Sequence, residues 1–194
     1  MQIMSNDSGI PSSDSPESRN QDSDMIKAKK VRVLGFREDW AVIPYIILLL
    51  IGFIISIYDF VYFQKLAFQA GWVILGVTLM IFGGFMRLMP RRSLVKAGFG
   101  SIWKTPFLQI VEDQMLVTDG YYKHIRHPIY LGEIGRALGW AITVSSLYGL
   151  VFMIVGLAFL LIRIEIEEKM LVKAFGDEYK EYQRNTKKLI PYIY

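Results

Sequence analysis

The sequence contains no cysteine and only two histidines among its 194 residues. Without cysteine, the chain has no disulfides and no thiolate metal ligands. Two imidazoles are too few for a His-rich zinc centre, so we expect no metal site. No glycine-rich phosphate loop follows a strand pattern, and no G-x-S-x-G nucleophile motif is present. These absences argue against a metalloenzyme, a soluble dinucleotide-binding fold and a nucleophile-elbow hydrolase.

The positive charge also lacks an organised pattern. The net charge is +4, and the basic residues are scattered without a motif that reads nucleic acid. In an apolar chain such an excess is typical of loops that lie beside anionic lipid. We therefore predict no nucleic-acid partner.

The first 30 residues have no apolar run and are rich in Ser, Asp and Asn. This composition excludes a signal peptide at that position and predicts a disordered tail. The tail, taken as residues 1–37, ends in a basic segment.

Long apolar runs dominate the remainder, and 53% of all residues are hydrophobic. Residues 40–58 and 66–86 are uncharged and long enough to cross a bilayer. Residues 128–162 are apolar apart from Glu133 and Arg136 and exceed one crossing, so a turn near 144–146 is predicted. The sequence thus predicts an all-α integral membrane protein with four clear transmembrane helices.

Shorter features refine this prediction. Pro128 fits a first helical turn, Gly176 a helix end, and residues 177–186 a short amphipathic helix. Glycines of the second run would let a neighbouring helix approach closely: Gly71, Gly76, Gly83 and Gly84. Residues 87–128 mix charges, Gly and Pro. Whether 93–110 form an interfacial helix or a fifth, partial crossing stays open.

Lys and Arg counts predict the orientation. Six lie in residues 1–40, one in 58–69, seven in 87–128, none in the 144–147 turn and seven in 163–194. By the positive-inside rule, both termini and the 87–128 loop face the cytoplasm. A multi-pass protein of the cell inner membrane with a cytoplasmic-side polar region is therefore expected, with the lipid bilayer as its first partner.

Three groups of ionisable residues have two interpretations each. Glu133 and Arg136, at i and i+3, form a membrane ion pair or belong to a pocket. The acids that follow Arg163 are a solvated helix end or a site for a cationic ligand. His124 and His127 are interfacial polar residues or part of a site. The residue pattern alone stops at a helical membrane protein with a polar cytoplasmic pocket.

Two segments together carry a resemblance. The first segment is LVTDGYYKHIRHPIYLGE, which contains an Arg-His-Pro triplet, and the second is EIEEKMLVKAFGDEYKEYQRNTKKLIP, which contains a Glu-Glu pair. Together they resemble the isoprenylcysteine carboxyl methyltransferase family and its prokaryotic relatives. The similarity covers about residues 109–191. It implies S-adenosyl-L-methionine as cofactor, S-adenosyl-L-homocysteine as product, and methyl transfer to the carboxylate of an amphiphilic or lipidated, isoprenylcysteine-type substrate.

The resemblance also implies site residues and boundaries. The apolar runs make 38–89 a pair of N-terminal transmembrane helices. The resemblance implies that 90–194 form a cofactor-binding catalytic region, which includes the transmembrane hairpin 128–163. Arg163 matches a substrate-facing, catalytic arginine. Positions that match cofactor contacts are Gln109, Gln114, Met115, Leu116, Val117, Tyr122, His127, Pro128, Ile129, Tyr130 and Glu168. The alternative function is an NADPH-dependent membrane sterol or enone reductase, because some such enzymes have similar histidine-proline and Glu-rich segments.

Overall fold

The computed structural model describes residues 31–33, 37–63, 70–96, 108–111 and 115–190. Five α-helices follow in chain order: α1 (Val42–Tyr62), α2 (Ala70–Lys96), α3 (Pro128–Thr143), α4 (Leu147–Phe175) and α5 (Asp177–Asn185). A short 3-10 helix, Gly120–Lys123, precedes α3. Strand β1 (Val31–Val33) pairs antiparallel with β2 (Gln109–Val111). The predicted tail at 1–30, the centre of 93–110 at 97–107, and Gln114 lie outside the described residues.

The helices pack as two pairs. In one pair α1 packs along α4, and in the other α2 packs along α3; the pairs meet where α3 contacts α4. The apolar core lies at this junction and includes Tyr45 of α1, Ala141 of α3 and Leu160 of α4. Helices α1, α2 and α4 are long and apolar enough to cross a membrane. Helix α3, with 16 residues, is about 24 Å long and falls short of an ordinary crossing.

Glycines form the contact between α2 and α3. A Cβ at Gly76 would lie 2.7 Å from the carbonyl oxygen of Gly139, and one at Gly83 would lie 2.5 Å from that of Gly132. Two of the four glycines predicted as packing notches therefore have that role. The other two, Gly71 and Gly84, have nothing within 4 Å of such a Cβ.

The turn and helix boundaries of the C-terminal half agree with the sequence predictions. Pro128 begins α3, and the Ser146 side chain caps α4 by accepting the N–H of Gly149 at 3.0 Å. Helix α4 then continues beyond the apolar run and ends at Gly176, whose positive φ of 61° suits glycine.

Two N-terminal boundaries differ from the sequence predictions. The second apolar helix does not end at residue 86 but continues to Lys96, across the boundary drawn at 89 and 90. The helix persists because Arg87 is paired with Glu133 of α3, and because Pro90 removes only one backbone hydrogen bond. Residues 31–33, assigned to the tail, form β1, since their backbone pairs with β2. The 16-residue α3 leaves the fourth crossing as a proposal.

Candidate functional site

A bidentate ion pair joins α4 to the residues just before α1. Arg163 donates from Nε to Asp39 Oδ1 at 3.2 Å and from a terminal nitrogen to Oδ2 at 3.0 Å. Asp39 is fully buried, and its Oδ2 also accepts the backbone N–H of Leu108 at 3.0 Å. Two parallel hydrogen bonds fix the plane of a guanidinium as well as its position. Asp39 therefore sets the orientation of Arg163.

Tyr130 connects this pair to a second cluster. Its ring centroid lies 6.0 Å from Cζ of Arg163 and 5.6 Å from the imidazole centroid of His127. The Glu167 carboxylate is the negative charge that acts most strongly on the Tyr130 hydroxyl. The first two turns of α3 thus face the segment of α4 that carries Arg163 and the glutamates.

Glu168 is the centre of the second cluster. Its Oε1 accepts Nε of Arg126 at 2.7 Å and lies 3.2 Å from Nε2 of His127. Its Oε2 accepts the Gln183 amide at 3.1 Å and lies 3.8 Å from Nζ of Lys188. Both carboxylate oxygens are therefore occupied by side chains of this chain, and the buried charge is paired as burial requires.

Backbone hydrogen bonds hold the histidine segment against the C-terminal segment. The N–H of Arg126 donates to the Lys187 carbonyl at 2.8 Å, and that of His127 to the Lys188 carbonyl at 3.1 Å. Pro128, which has no N–H to satisfy, begins α3 directly afterwards. This connection fixes His127 at the junction between the 3-10 helix segment and α3.

Glu167 is different from its neighbour. Its Oε2 is buried and accepts no hydrogen bond from any residue in the described ranges. Nδ1 of His127 lies 3.9 Å away, beyond hydrogen-bond distance. An unsatisfied buried carboxylate oxygen costs free energy, so this atom is the natural acceptor for a donor supplied by a ligand.

A tyrosine cluster lies next to the glutamates. Tyr122, Tyr179 and Tyr182 are buried together, and the Tyr182 hydroxyl donates to the Tyr122 carbonyl at 2.6 Å. Burial raises the pKa of all three phenols above the usual value. Leu116 and Val117 pack against this cluster. It is therefore a neutral, aromatic wall.

The sequence-predicted residues divide into three sets. The structure brings most of them into these adjacent clusters: Leu116, Val117, Tyr122, His127, Pro128, Tyr130, Arg163 and Glu168. Met115, by contrast, is 72% exposed. Ile129 is half-buried at the start of α3, and Gln109 is described only through its backbone in β2. Roles for these residues stay predictions.

Several residues of these clusters were not predicted from the sequence. Asp39 had a weak signal, as an acid directly before an apolar run. Arg126 lies inside the Arg-His-Pro triplet but has no conspicuous spacing, and Gln183 carries no signal at all. Within the described ranges, no three His, Asp or Glu side chains gather as a metal ion would require.

A family model and a solved structure show what this chain is similar to. Residues 72–178 match the family model described as phospholipid methyltransferase. The solved eukaryotic intramembrane Ras methyltransferase, isoprenylcysteine carboxyl methyltransferase, superposes with a TM-score of 0.59 at 25% identity, over 77% of this chain and 52% of that one. This likeness supports an integral, multi-pass membrane protein.

Three curated relatives, each named for a different activity, are similar to this chain. Methanethiol S-methyltransferase 1 of Bradyrhizobium diazoefficiens is 32% identical over 63% of this chain and 39% of its own length. Protein-S-isoprenylcysteine O-methyltransferase of Schizosaccharomyces pombe is 40% identical over 42% of this chain and 35% of its own. Steroid 5-alpha-reductase DET2 of Solanum lycopersicum is 31% identical over 63% and 44%.

The chain therefore spans well under two thirds of the length of these relatives. The resemblance read from the sequence to isoprenylcysteine carboxyl methyltransferases is confirmed by the matching relative and structure. Because the family model covers more than half of the residues, the chain belongs to the phospholipid methyltransferase family.

Proposed function

We propose that this chain is a membrane S-adenosyl-L-methionine-dependent carboxyl O-methyltransferase that acts on a lipid-like acid of the isoprenylcysteine type. The observation that carries the proposal is the position of Tyr130 between His127 and Arg163. It brings a buried, oriented guanidinium beside a wall of histidine, tyrosine and glutamate. A carboxylate held by the guanidinium would be adjacent to a cationic ligand held by the histidine, tyrosine and glutamate side chains.

The second half of the site suits the cofactor in charge and in the types of side chain it offers. The unsatisfied Oε2 of Glu167 suits an ammonium group, and the faces of Tyr122 and Tyr130 suit an adenine ring or a sulfonium. Glu168 supports this half of the site by holding Arg126 and His127 in place. When bound, the cofactor supplies an electrophilic methyl group on its sulfonium sulfur. Gln109, Gln114 and Met115 to Val117 remain proposed cofactor contacts that rest on the sequence resemblance.

The chain's own residues have a limited chemical task. A carboxylate acceptor is ionised near neutral pH, so the site needs no strong general base. Arg163 would bind that carboxylate through its donor fork while Asp39 keeps the guanidinium plane fixed. Burial of the surrounding groups excludes water and holds both partners in line. In this scheme His127 binds and positions, and Arg163 is the catalytic residue that touches the acceptor.

We further propose four crossings with both termini and the site on the cytoplasmic side. Two buried contacts support this topology. Arg163 pairs with Asp39 at one end of the α1–α4 pair, and Ser146 donates to Asp59 at 2.7 Å at the other. Helix α3 runs between these two levels, so it traverses the same layer as α1 despite its length. The Lys and Arg counts favour the arginine end as cytoplasmic.

The direct test is calorimetric binding of S-adenosyl-L-homocysteine to the detergent-purified chain. We expect micromolar or tighter affinity; absence of heat at protein concentrations that would reveal it would overturn the proposal. Labelled S-adenosyl-L-methionine should then methylate a farnesylated cysteine acid. If methyl transfer to methanethiol or to phosphatidylethanolamine were faster, the proposed cofactor would stand and the proposed methyl acceptor would be wrong.

The steroid reductase relative favours one second candidate, an NADPH-dependent membrane reductase of sterols or enones. A thermal-protection assay separates the two functions. Protection by S-adenosyl-L-homocysteine alone supports the methyltransferase, whereas protection by NADPH alone supports the reductase.

A further inference from the structure

A further cluster of charges lies between α2 and α3. Glu133, which is buried, accepts from Arg87 on α2 and from Arg136 one turn further along α3. Within the described ranges, the only hydrogen bonds and ion pairs of the two guanidiniums are those to Glu133. Two guanidiniums therefore share one carboxylate, which leaves the cluster with a net charge of +1.

The arginines are open on the outside of this cluster. The side chain of Arg87 is 36% exposed and that of Arg136 is 45% exposed, whereas Glu133 is only 8% exposed. On α2, the neighbours Phe85 and Leu88 are also exposed. Exposed guanidiniums that border exposed apolar side chains on membrane helices match an amphiphile with an anionic head and hydrocarbon tails.

A buried hydroxyl points to the same ligand. Tyr45 of α1 is 6% exposed, and its hydroxyl has no hydrogen-bond partner among the described residues. The positive charges of Arg136, Arg87 and Arg163 act on this hydroxyl. A phosphate oxygen would satisfy both the hydroxyl and the excess positive charge.

We propose that Arg87, Arg136 and Tyr45 bind the phosphate of an anionic glycerophospholipid, which is neither the methyl acceptor nor the cofactor. A guanidinium pairs with phosphate through two parallel donors, so the cluster can hold a lipid headgroup without losing Glu133. A zwitterionic lipid suits it less, since its ammonium would approach the two arginines.

The test compares the unfolding midpoint of the full-length chain in detergent after addition of phosphatidylglycerol or phosphatidylcholine with the same acyl chains. We expect phosphatidylglycerol to raise the midpoint by several degrees more. In Arg136→Gln at least half of this difference should disappear, and Tyr45→Phe should lose a smaller part. Arg92→Gln, which removes the same charge from an exposed position of α2, is the control and should keep the full difference.

Equal shifts for both lipids, or a full difference retained in Arg136→Gln, would overturn the proposal. Inorganic phosphate alone at matched concentration should have no effect; an equal shift would assign the site to a free anion instead. Should Arg136→Gln fail to fold, native mass spectrometry of the wild-type chain decides, because it must retain phosphatidylglycerol in preference to phosphatidylcholine.

Discussion

Arg163 and Asp39 are 124 positions apart in the chain, yet they form a two-bond ion pair with a fully buried carboxylate. The pair links the beginning of α1 to the point in α4 where the apolar run ends. Tyr130 lies against the same guanidinium. The orientation of one arginine therefore depends on the correct docking of three helices.

Replacing Arg163 separates acceptor binding from cofactor binding. We expect Arg163→Ala to lose methyl transfer by at least about a hundredfold, since a buried charge-assisted contact is worth roughly 3 kcal/mol. Affinity for S-adenosyl-L-homocysteine should change little. Calorimetry and labelled-methyl transfer measure the two effects. Arg163→Lys keeps the charge but should recover only part of the rate, because an ammonium lacks the paired donors of a guanidinium. If Arg163→Ala instead lost affinity for S-adenosyl-L-homocysteine, Arg163 would belong to the cofactor site.

Asp39→Asn should act through Arg163. The amide preserves the shape but supplies one acceptor where the carboxylate supplied two, so the guanidinium loses its fixed plane. We expect kcat to fall about tenfold or more while cofactor affinity stays within about twofold. The test includes activity over a range of acceptor concentrations. Asp39→Glu restores the charge and should recover activity in part; if Asp39→Asn merely lowered the unfolding midpoint at unchanged kcat, the residue would be structural.

The two adjacent glutamates should have different roles. Glu167→Gln is expected to weaken S-adenosyl-L-homocysteine binding by about tenfold with little change in stability, since its Oε2 has no partner to lose among the described residues. Glu168→Gln should chiefly destabilise, by about 3 kcal/mol, because it leaves Arg126 with a neutral partner in a buried position. Calorimetry and thermal unfolding of both variants measure this contrast, and a reversed pattern would exchange the two roles.

The glycine contact between α2 and α3 predicts a matched pair of variants. In Gly83→Ala the added methyl meets backbone atoms of α3, and we expect a loss of about 1–3 kcal/mol from overpacking. In Gly84→Ala, one residue away, the methyl enters open space, so stability should hold or rise slightly. Unfolding in detergent measures both variants. Equal destabilisation by the two alanines would argue against direct α2–α3 contact.

The tyrosine wall predicts loss of stability in alkali. Folding raises the pKa of Tyr122, Tyr179 and Tyr182 above the ordinary value of 10.0 because burial disfavours the phenolate. A raised pKa contributes stability that is complete below pH 10 and is lost as the pH rises further. Phenolate absorbance and circular dichroism should therefore change together above that pH. Tyr179→Phe should reduce the alkaline loss while leaving stability at pH 7 nearly unchanged.

Much of this arrangement could be predicted from the sequence because local rules decided it. The turn at 144–146, the first-turn proline at 128 and the glycine at 176 each lie where short-range chemistry and apolar periodicity agree. The Glu133 and Arg136 pair also formed as one of its two interpretations required.

Other features depended on partners distant in the chain. Arg87 looked like the end of a helix, but the buried Glu133 accepts its charge and lets α2 continue. Gly83 and Gly84 look alike in sequence, and only the direction of α3 distinguishes them. Asp39 could not be assigned to an ion pair from the sequence, because the residues around it do not indicate that its partner is an arginine 124 positions away.

The division into two helix pairs has a mechanical consequence. Arg163, Asp39 and Glu167 belong to the α1–α4 pair, whereas His127 and Tyr130 belong to the α2–α3 pair. Interlocked glycines hold α2 tightly against α3, so we expect relative motion to be easier at the seam between the two pairs than within the α2–α3 pair. A small shear along that seam changes the spacing between the two halves of the proposed site. If the proposed site holds its two ligands on opposite sides of this seam, a ligand that bridges it would act as a clamp, and binding of either ligand would restrict the position available to the other.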